Sequence, residues 1–407
     1  MVIHSTLGRL LSGAALLFAL VDRQSAAWGD TAGGFGANIG AQYAYDDNLY
    51  RLPSQFDTAA VSSGISRQDH INTLSAGATG RLSFGHQALG ADLRLADNRF
   101  AHNADLNNTS GSGRVTWNWL GSPYLAGDAG VNFTRSLAGF ADNRFFAKDL
   151  IDTTEYFASA NLRITSRWKV TAALREAATT HSADARQVDD FHTRSGNTGI
   201  EYLLTEQNSV GVDYRYIDAS FPRPASFAGA PFDRDYRDSV ERVLIKYALS
   251  GKSVLDANVG YLKRHYVNSD FGSFSGDIWR VSLQWQVSGK TQVLLSGWRE
   301  LTAYLDSQSD YFVAKGGSIA PSWNPTERIS LSVTAAWIRQ DYLSSSPSAL
   351  LFASRLDRIR SGQAALTYTP REALTLGLSY RYEQRDSNRL QFAYVDRLAS
   401  GSITIRF

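Results

Sequence analysis

Along this chain of 407 residues, stretches of alternating apolar and polar residues are joined in turn by tight turns and by longer polar connections. Tight turns read at Gly85-His86, Gly121-Ser122, Ser166-Arg167, Thr205-Glu206, Gly251-Lys252, Gly289-Lys290, Pro325-Thr326 and Pro370-Arg371. Between them lie polar connections at 51–69, 103–108, 136–151, 182–190, 220–236, 267–274, 306–310, 341–354 and 386–390. Strand-rich sequence has no reason to sort its connections this way unless the two ends of the strands face different surroundings. Bacterial outer-membrane barrels do sort them so, with short periplasmic turns, longer outer loops and an even strand count. The segments number about 18, which predicts an all-β, transmembrane, antiparallel up-and-down barrel with both termini in the periplasm.

The faces of the segments agree. Side chains alternate across a strand, and in the closing segment Ala399, Gly401, Ile403, Ile405 and Phe407 oppose Ser400, Ser402, Thr404 and Arg406. Trp279, Val281, Leu283, Trp285 and Val287 likewise alternate with Ile278, Arg280, Ser282, Gln284 and Gln286. The apolar faces begin or end in Trp or Tyr, as membrane-interface girdles do. The other faces carry Arg, Asp, Ser and Gly, which a dry sandwich core would not tolerate. Strands of about 12 to 16 residues exceed the roughly 9 to 11 needed to cross a bilayer, so they are expected to project beyond the outer leaflet.

Residues 1–27 read as a secretory signal peptide, with Arg9, an apolar stretch from Leu10 to Val21 and a small-residue site at Ser25-Ala26-Ala27. The barrel is then expected over 28–407, with Trp28 to Gly34 leaving no room for a separate plug domain. No later run of about 20 apolar residues offers a helical span. Cysteine is absent, and the formal net charge of +2 with no basic run gives no reason to expect nucleic acid. The expected location is the bacterial outer membrane, with its lipid as the surrounding partner.

At the outer end of the first strand, read as about Phe35 to Tyr50, stands Tyr45-Asp46-Asp47-Asn48-Leu49-Tyr50-Arg51-Leu52-Pro53. This segment resembles the opening strand of the β-barrel porins of bacterial exopolysaccharide operons, the EpsL-like family. That family begins with a signal peptide and an Asp-x-Asn-aromatic-Arg segment and runs as one barrel to a terminal Phe. Here Tyr50 stands where Phe is as frequent. The resemblance implies a passage or docking ring for an exported polysaccharide, working with periplasmic export components. The alternatives are a diffusion porin for small, preferably anionic solutes, and a structural or adhesive barrel with a closed lumen.

The Asp-Asn-aromatic pattern recurs. Asp46, Asp47, Asn48 and Tyr50 are echoed by Asp97, Asn98 and Phe100, and by Asp142, Asn143 and Phe145. These residues are candidate sugar contacts at the mouth, or strand-ending groups whose side chains bond nearby amides. On the inward faces Arg81, Arg94, Arg114, Arg163, Arg175, Arg215, Arg280 and Arg381 are candidates for a positive lumen field. Basic residues outnumber the acidic ones read there. A barrel of this size holds a channel unless loops fill it, and 51–69, 136–151, 220–236 and 341–354 are the material available. The histidines are scattered without metal-ligand spacing. No Gly-x-Ser-x-Gly elbow occurs, so neither an enzyme nor a cofactor or metal site is expected.

Overall fold

The computed structural model describes residues 34–56, 65–142, 145–227, 230–267, 273–306, 309–343 and 355–407. The segment read as a signal peptide, 1–27, lies outside them. The strands are β1 (Gly34–Asp46), β2 (Asp69–Phe84), β3 (Gln87–Phe100), β4 (Asn108–Ser122), β5 (Leu125–Leu137), β6 (Leu150–Arg163), β7 (Trp168–His181), β8 (Phe191–Leu203) and β9 (Ser209–Ser220). A small hairpin, β10 (Ala225–Phe227) and β11 (Ala230–Phe232), follows in a loop. Then come β12 (Tyr236–Ser250), β13 (Ser253–Tyr266), β14 (Phe274–Ser288), β15 (Thr291–Asp306), β16 (Ser309–Thr326), β17 (Ile329–Leu343), β18 (Leu356–Arg371), β19 (Leu374–Ser387) and β20 (Tyr394–Arg406). Apart from the loop hairpin, every strand belongs to one 18-stranded antiparallel sheet. It closes on itself, because β1 pairs with β2 on one side and with β20 on the other. Closure removes both sheet edges, which is the condition for strands to sit in lipid with every backbone group paired.

Register fixes the two faces. Asn38, Gly40, Gln42 and Ala44 point into the barrel, while Phe35, Ile39 and Tyr43 point out, with Phe35 78% exposed. Leu74, Leu174, Trp337 and Leu378 are among the other large apolar side chains standing exposed on the outer wall. A wall this apolar is stable only against lipid.

The proline turns are placed differently from the sequence reading. The chain reverses at 123–124, 327–328 and 372–373, beyond Gly121-Ser122, Pro325-Thr326 and Pro370-Arg371. Pro325 and Pro370 sit instead at breaks in register, between Trp323 and Thr326 and between Tyr368 and Arg371. Proline has no N–H for the ladder, so a bulge just before a turn accommodates it. At 122–125, Ser122 Oγ accepts bonds from the amides of Tyr124 (3.2 Å) and Leu125 (3.1 Å), which holds the turn around Pro123. β1 also ends at Asp46, short of Tyr50, because Asp46 Oδ1 takes the Asn48 amide at 2.9 Å and bends the chain inward.

This topology makes an accessibility prediction. A tag inserted at Gly251-Lys252, the turn between β12 and β13, should be hidden on intact cells, whereas one within 221–235 should be exposed. Equal labelling of the two would contradict the topology.

Candidate functional site

At the loop end, three connections fold inward and pack on one another. Leu49, Tyr50 and Leu52 from the segment after β1, Leu106 from the segment after β3, and Phe140 from the segment after β5 form a buried cluster with Phe100. Tyr50 anchors it, with its ring 4.6 Å from Phe140 and 5.7 Å from Phe146 and its hydroxyl donating to Asn103 Oδ1 at 3.2 Å. Burial, with Asp69 and Asp105 nearby, pushes the Tyr50 phenol up to about 12. Asp69, wholly buried, accepts the amides of Ala101, His102 and Asn103 and so fixes the connection after β3.

Beside this cluster lies a set of buried charges. Arg51 Nη1 stands 3.1 Å from Asp46 and 2.8 Å from Asp396, and Asp396 also meets Arg381 at 3.0 Å. Arg355 meets Asp357 at 2.6 Å and lies over the rings of Phe392 (3.4 Å) and Tyr342 (4.1 Å). Arg51 carries a positive φ of 56°, a left-handed backbone that a non-glycine residue adopts at some cost. Burial opposes its charge, but Asp46 and Asp396 outweigh that and hold its guanidinium well above its ordinary pKa.

One loop crosses this end of the barrel. Residues 138–149 leave from β5 and return to β6, yet Arg385 on β19 donates to Ala141 O at 2.8 Å and to Asp142 Oδ1 at 2.7 Å. Arg355 approaches the same carboxylate at 3.7 Å. On the shorter way round the wall, β4, β3, β2, β1 and β20 separate β5 from β19. The loop is therefore a chord across the mouth, fastened at its far end by Asp142.

The three Asp-Asn segments do not form one ring. Asp46, Asn48 and Tyr50 are buried in the mouth, and Asn48 is consumed by bonds to Leu52 O and Val395 O and from the Leu52 amide. Asp47 accepts the Arg397 amide and lies 3.4 Å from its guanidinium, with its carboxylate also close to those of Asp46 and Asp396, while Asp97 is on the outer face with Arg99 at 2.8 Å. Asn98 faces inward and bonds Thr73, Asn108 and Ser110, while Phe100 belongs to the apolar cluster. Asp142 holds the crossing loop, Phe145 is half-buried and Asn143 lies outside the described residues. Of these pairs, Asp97 and Asn98 lie within a strand, where adjacent residues point to opposite faces.

All eight arginines read as lumenal occupy the inward face of the register, but the expected excess of positive charge is much reduced. Glu155, Asp238, Glu300, Asp357, Asp46 and Asp396 share that face. Arg280 forms a two-pronged pair with Glu300, both bonds 2.8 Å, Arg381 is tied to Asp396, and Arg175 lies 3.6 Å from Glu155. Arg242, not among the eight, pairs with Asp213. Arg94 faces Ser112 across the ladder. Arg114 donates to Thr116 Oγ1 at 3.0 Å and stands over the Phe157 ring. Among the described residues, Arg114 and Arg215 have no carboxylate partner at mid-barrel, and neither do Arg81 and Arg163 nearer the short turns. Arg215 lies on β9, on the part of the wall away from the crossing loop and its anchors.

An apolar rim stands on that opposite side. Phe221, Tyr236, Tyr266 and Tyr311 cluster there, with Arg264 stacked 3.7 Å over Tyr236 and paired doubly with Asp238. No sequence motif marks this cluster, because its members come from separate positions on β12, β13 and β16 and from the loop after β9.

This fold and its apolar outer wall define an outer-membrane β-barrel of porin type. It is similar to a BenF-like porin from Pseudomonas fluorescens Pf-5, with a TM-score of 0.52 at 11% identity over 92% of this chain and 99% of that one. It is similar also to OccK2 (OpdF) of Pseudomonas aeruginosa, with a TM-score of 0.50 at 10% identity over 92% and 98%. At such identities the likeness establishes the fold. In sequence, the family model described as Putative beta-barrel porin 2 matches residues 246–407. No curated protein matches the chain.

Proposed function

We propose that this barrel is a diffusion channel for small solutes, narrowed by the 138–149 loop and mildly selective for anions. The observation that carries this reading is Arg215, an inward-facing guanidinium without a carboxylate partner on the wall away from the crossing loop. Arg114 supports it from β4. Arginine keeps its charge at any physiological pH, and a fixed cation in a channel raises the local concentration of anions. The effect is expected to be modest, since most other lumenal charges are paired.

The test reverses those two charges. In a salt gradient the wild-type pore should reverse on the anion side, and Arg114→Glu with Arg215→Glu should move the reversal potential to the cation side. Arg280 and Arg381 are poor choices for this purpose, because their partners Glu300 and Asp396 would be left facing a second carboxylate. An unchanged reversal potential in the double variant would contradict the reading.

A second reading is export of an acidic polysaccharide together with periplasmic export components. It is favoured by the Tyr45–Pro53 segment, and a polymer would require the crossing loop to move aside. Loss of polysaccharide output on deletion of the gene, restored by the wild-type chain, would support this second reading.

A further inference from the structure

We propose that the outer wall between β7 and β13 carries a binding site for a phosphorylated, acylated glycolipid of the outer leaflet. Val170, Ile200, Val212, Val243 and Val259 stand side by side on five neighbouring strands and face outward. They floor a groove of about 660 Å³. Short β-branched side chains make the floor, and the larger rings of Tyr214 and Tyr261 rise beside it toward the loop end. A groove open to lipid is filled by an acyl chain, since leaving it empty forfeits dispersion contacts along its length.

The charges above the floor say which lipid. Glu241 points outward between Tyr214 and Tyr261 in the register and has no ion-pair or hydrogen-bond partner among the described residues. One step nearer the loops, Lys263 is also exposed and unpaired, with its ammonium 6.0 Å from the centre of the Tyr261 ring. Arg237 lies beyond it, half of its side chain in solvent beside Asp218. A lone carboxylate on a lipid-facing wall is costly unless it meets donors. Sugar hydroxyls and amides supply those donors, the tyrosine rings offer faces to a sugar, and Lys263 with Arg237 suits a phosphate. A phosphorylated sugar headgroup carrying acyl chains meets all three demands. A diacyl phospholipid would supply the chain and the phosphate but no sugar for Glu241 and the rings.

The experiment uses the full chain in nanodiscs, with bisphosphorylated hexa-acylated lipid A as the probe and native mass spectrometry as the readout. The variants are Lys263→Glu, Glu241→Gln and Val243→Trp, the last filling the groove, with Val333→Trp on the far outer wall as the control. Heat-modifiable migration establishes that each variant is folded. Lipid A should remain bound to the wild type and to Val333→Trp, and its occupancy should fall at least severalfold in each of the other three. Lipid A stripped of phosphate should bind wild type as weakly as intact lipid A binds Lys263→Glu. Equal occupancy across all variants would overturn the proposal, as would equal binding of a phosphatidylglycerol probe. A wild-type oligomer that Val243→Trp splits into monomers would overturn it too, by assigning the groove to a second copy of the chain.

Discussion

Replacing Asp142 with Ala should raise single-channel conductance severalfold and make the current noisier, while the barrel still assembles. The loop from 138 to 149 is held at its far end by this carboxylate, which takes a bond from Arg385 and faces Arg355. The clamp is made by side chains on the inner side of the wall, so losing it frees the loop without unpairing a strand. Charge-assisted bonds in a desolvated setting are the strong ones, and the restraints left are the bond from Arg385 to Ala141 O and the contacts of Phe140 and Phe146 with Tyr50. Asp142→Asn separates charge from shape. It keeps one acceptor and should show smaller, briefer openings than Ala. Conductance equal to wild type in Asp142→Ala would mean that the crossing loop does not restrict the path.

A second large effect is expected at Asp357, which is wholly buried against Arg355. Removing Asp357 leaves the buried Arg355 guanidinium with the longer carboxylate contact to Asp142, at 3.7 Å, and breaking such a buried pair costs about 3–5 kcal/mol. The Arg355 guanidinium lies over the rings of Phe392 and Tyr342, with 1% of its side chain exposed. Asp357→Ala should therefore lower unfolding stability by about that amount in a urea titration in detergent. Replacing both residues by apolar ones of similar size, Arg355→Met with Asp357→Leu, should recover most of the loss, because no charge is then left alone. A double variant as unstable as the single one would show that the pair's geometry, and not stranded charge, sets the stability.

The wall of the barrel was legible because its rules are local. Period-two alternation, aromatic ends and the sorting of short and long connections each lie within a few neighbouring residues, and together they lead to a closed barrel with this strand count. The proline turns were misplaced by two residues because proline marks a disturbed ladder as readily as a reversal. The mouth was not legible. Its charges come from Asp46, Arg51, Asp142, Arg355, Asp357, Arg381, Arg385 and Asp396, and only the closing of β20 on β1 brings the two ends of that list together. One sign was present in the sequence. Arg381 and Arg385 fall on the inward parity of β19, and Asp396 does so on β20, so a pairing of these strands sets Asp396 opposite Glu383 and diagonal to both arginines. The repeated Asp-Asn pattern met three different settings, just past the end of β1, within β3 and in the loop after β5, so similar strings were given different surroundings.

In the proposed channel Arg215 faces a water-filled path, whereas Val212, three residues earlier on the same strand, faces outward toward lipid. Because the natural chain has no cysteine, single cysteines at these positions can be read cleanly during conduction in a planar bilayer. A negatively charged thiol reagent should step the current of Arg215→Cys down and shift its selectivity toward cations, and should leave Val212→Cys unaffected. A current that responds through Val212→Cys, with Arg215→Cys silent, would contradict the assignment of the lumen.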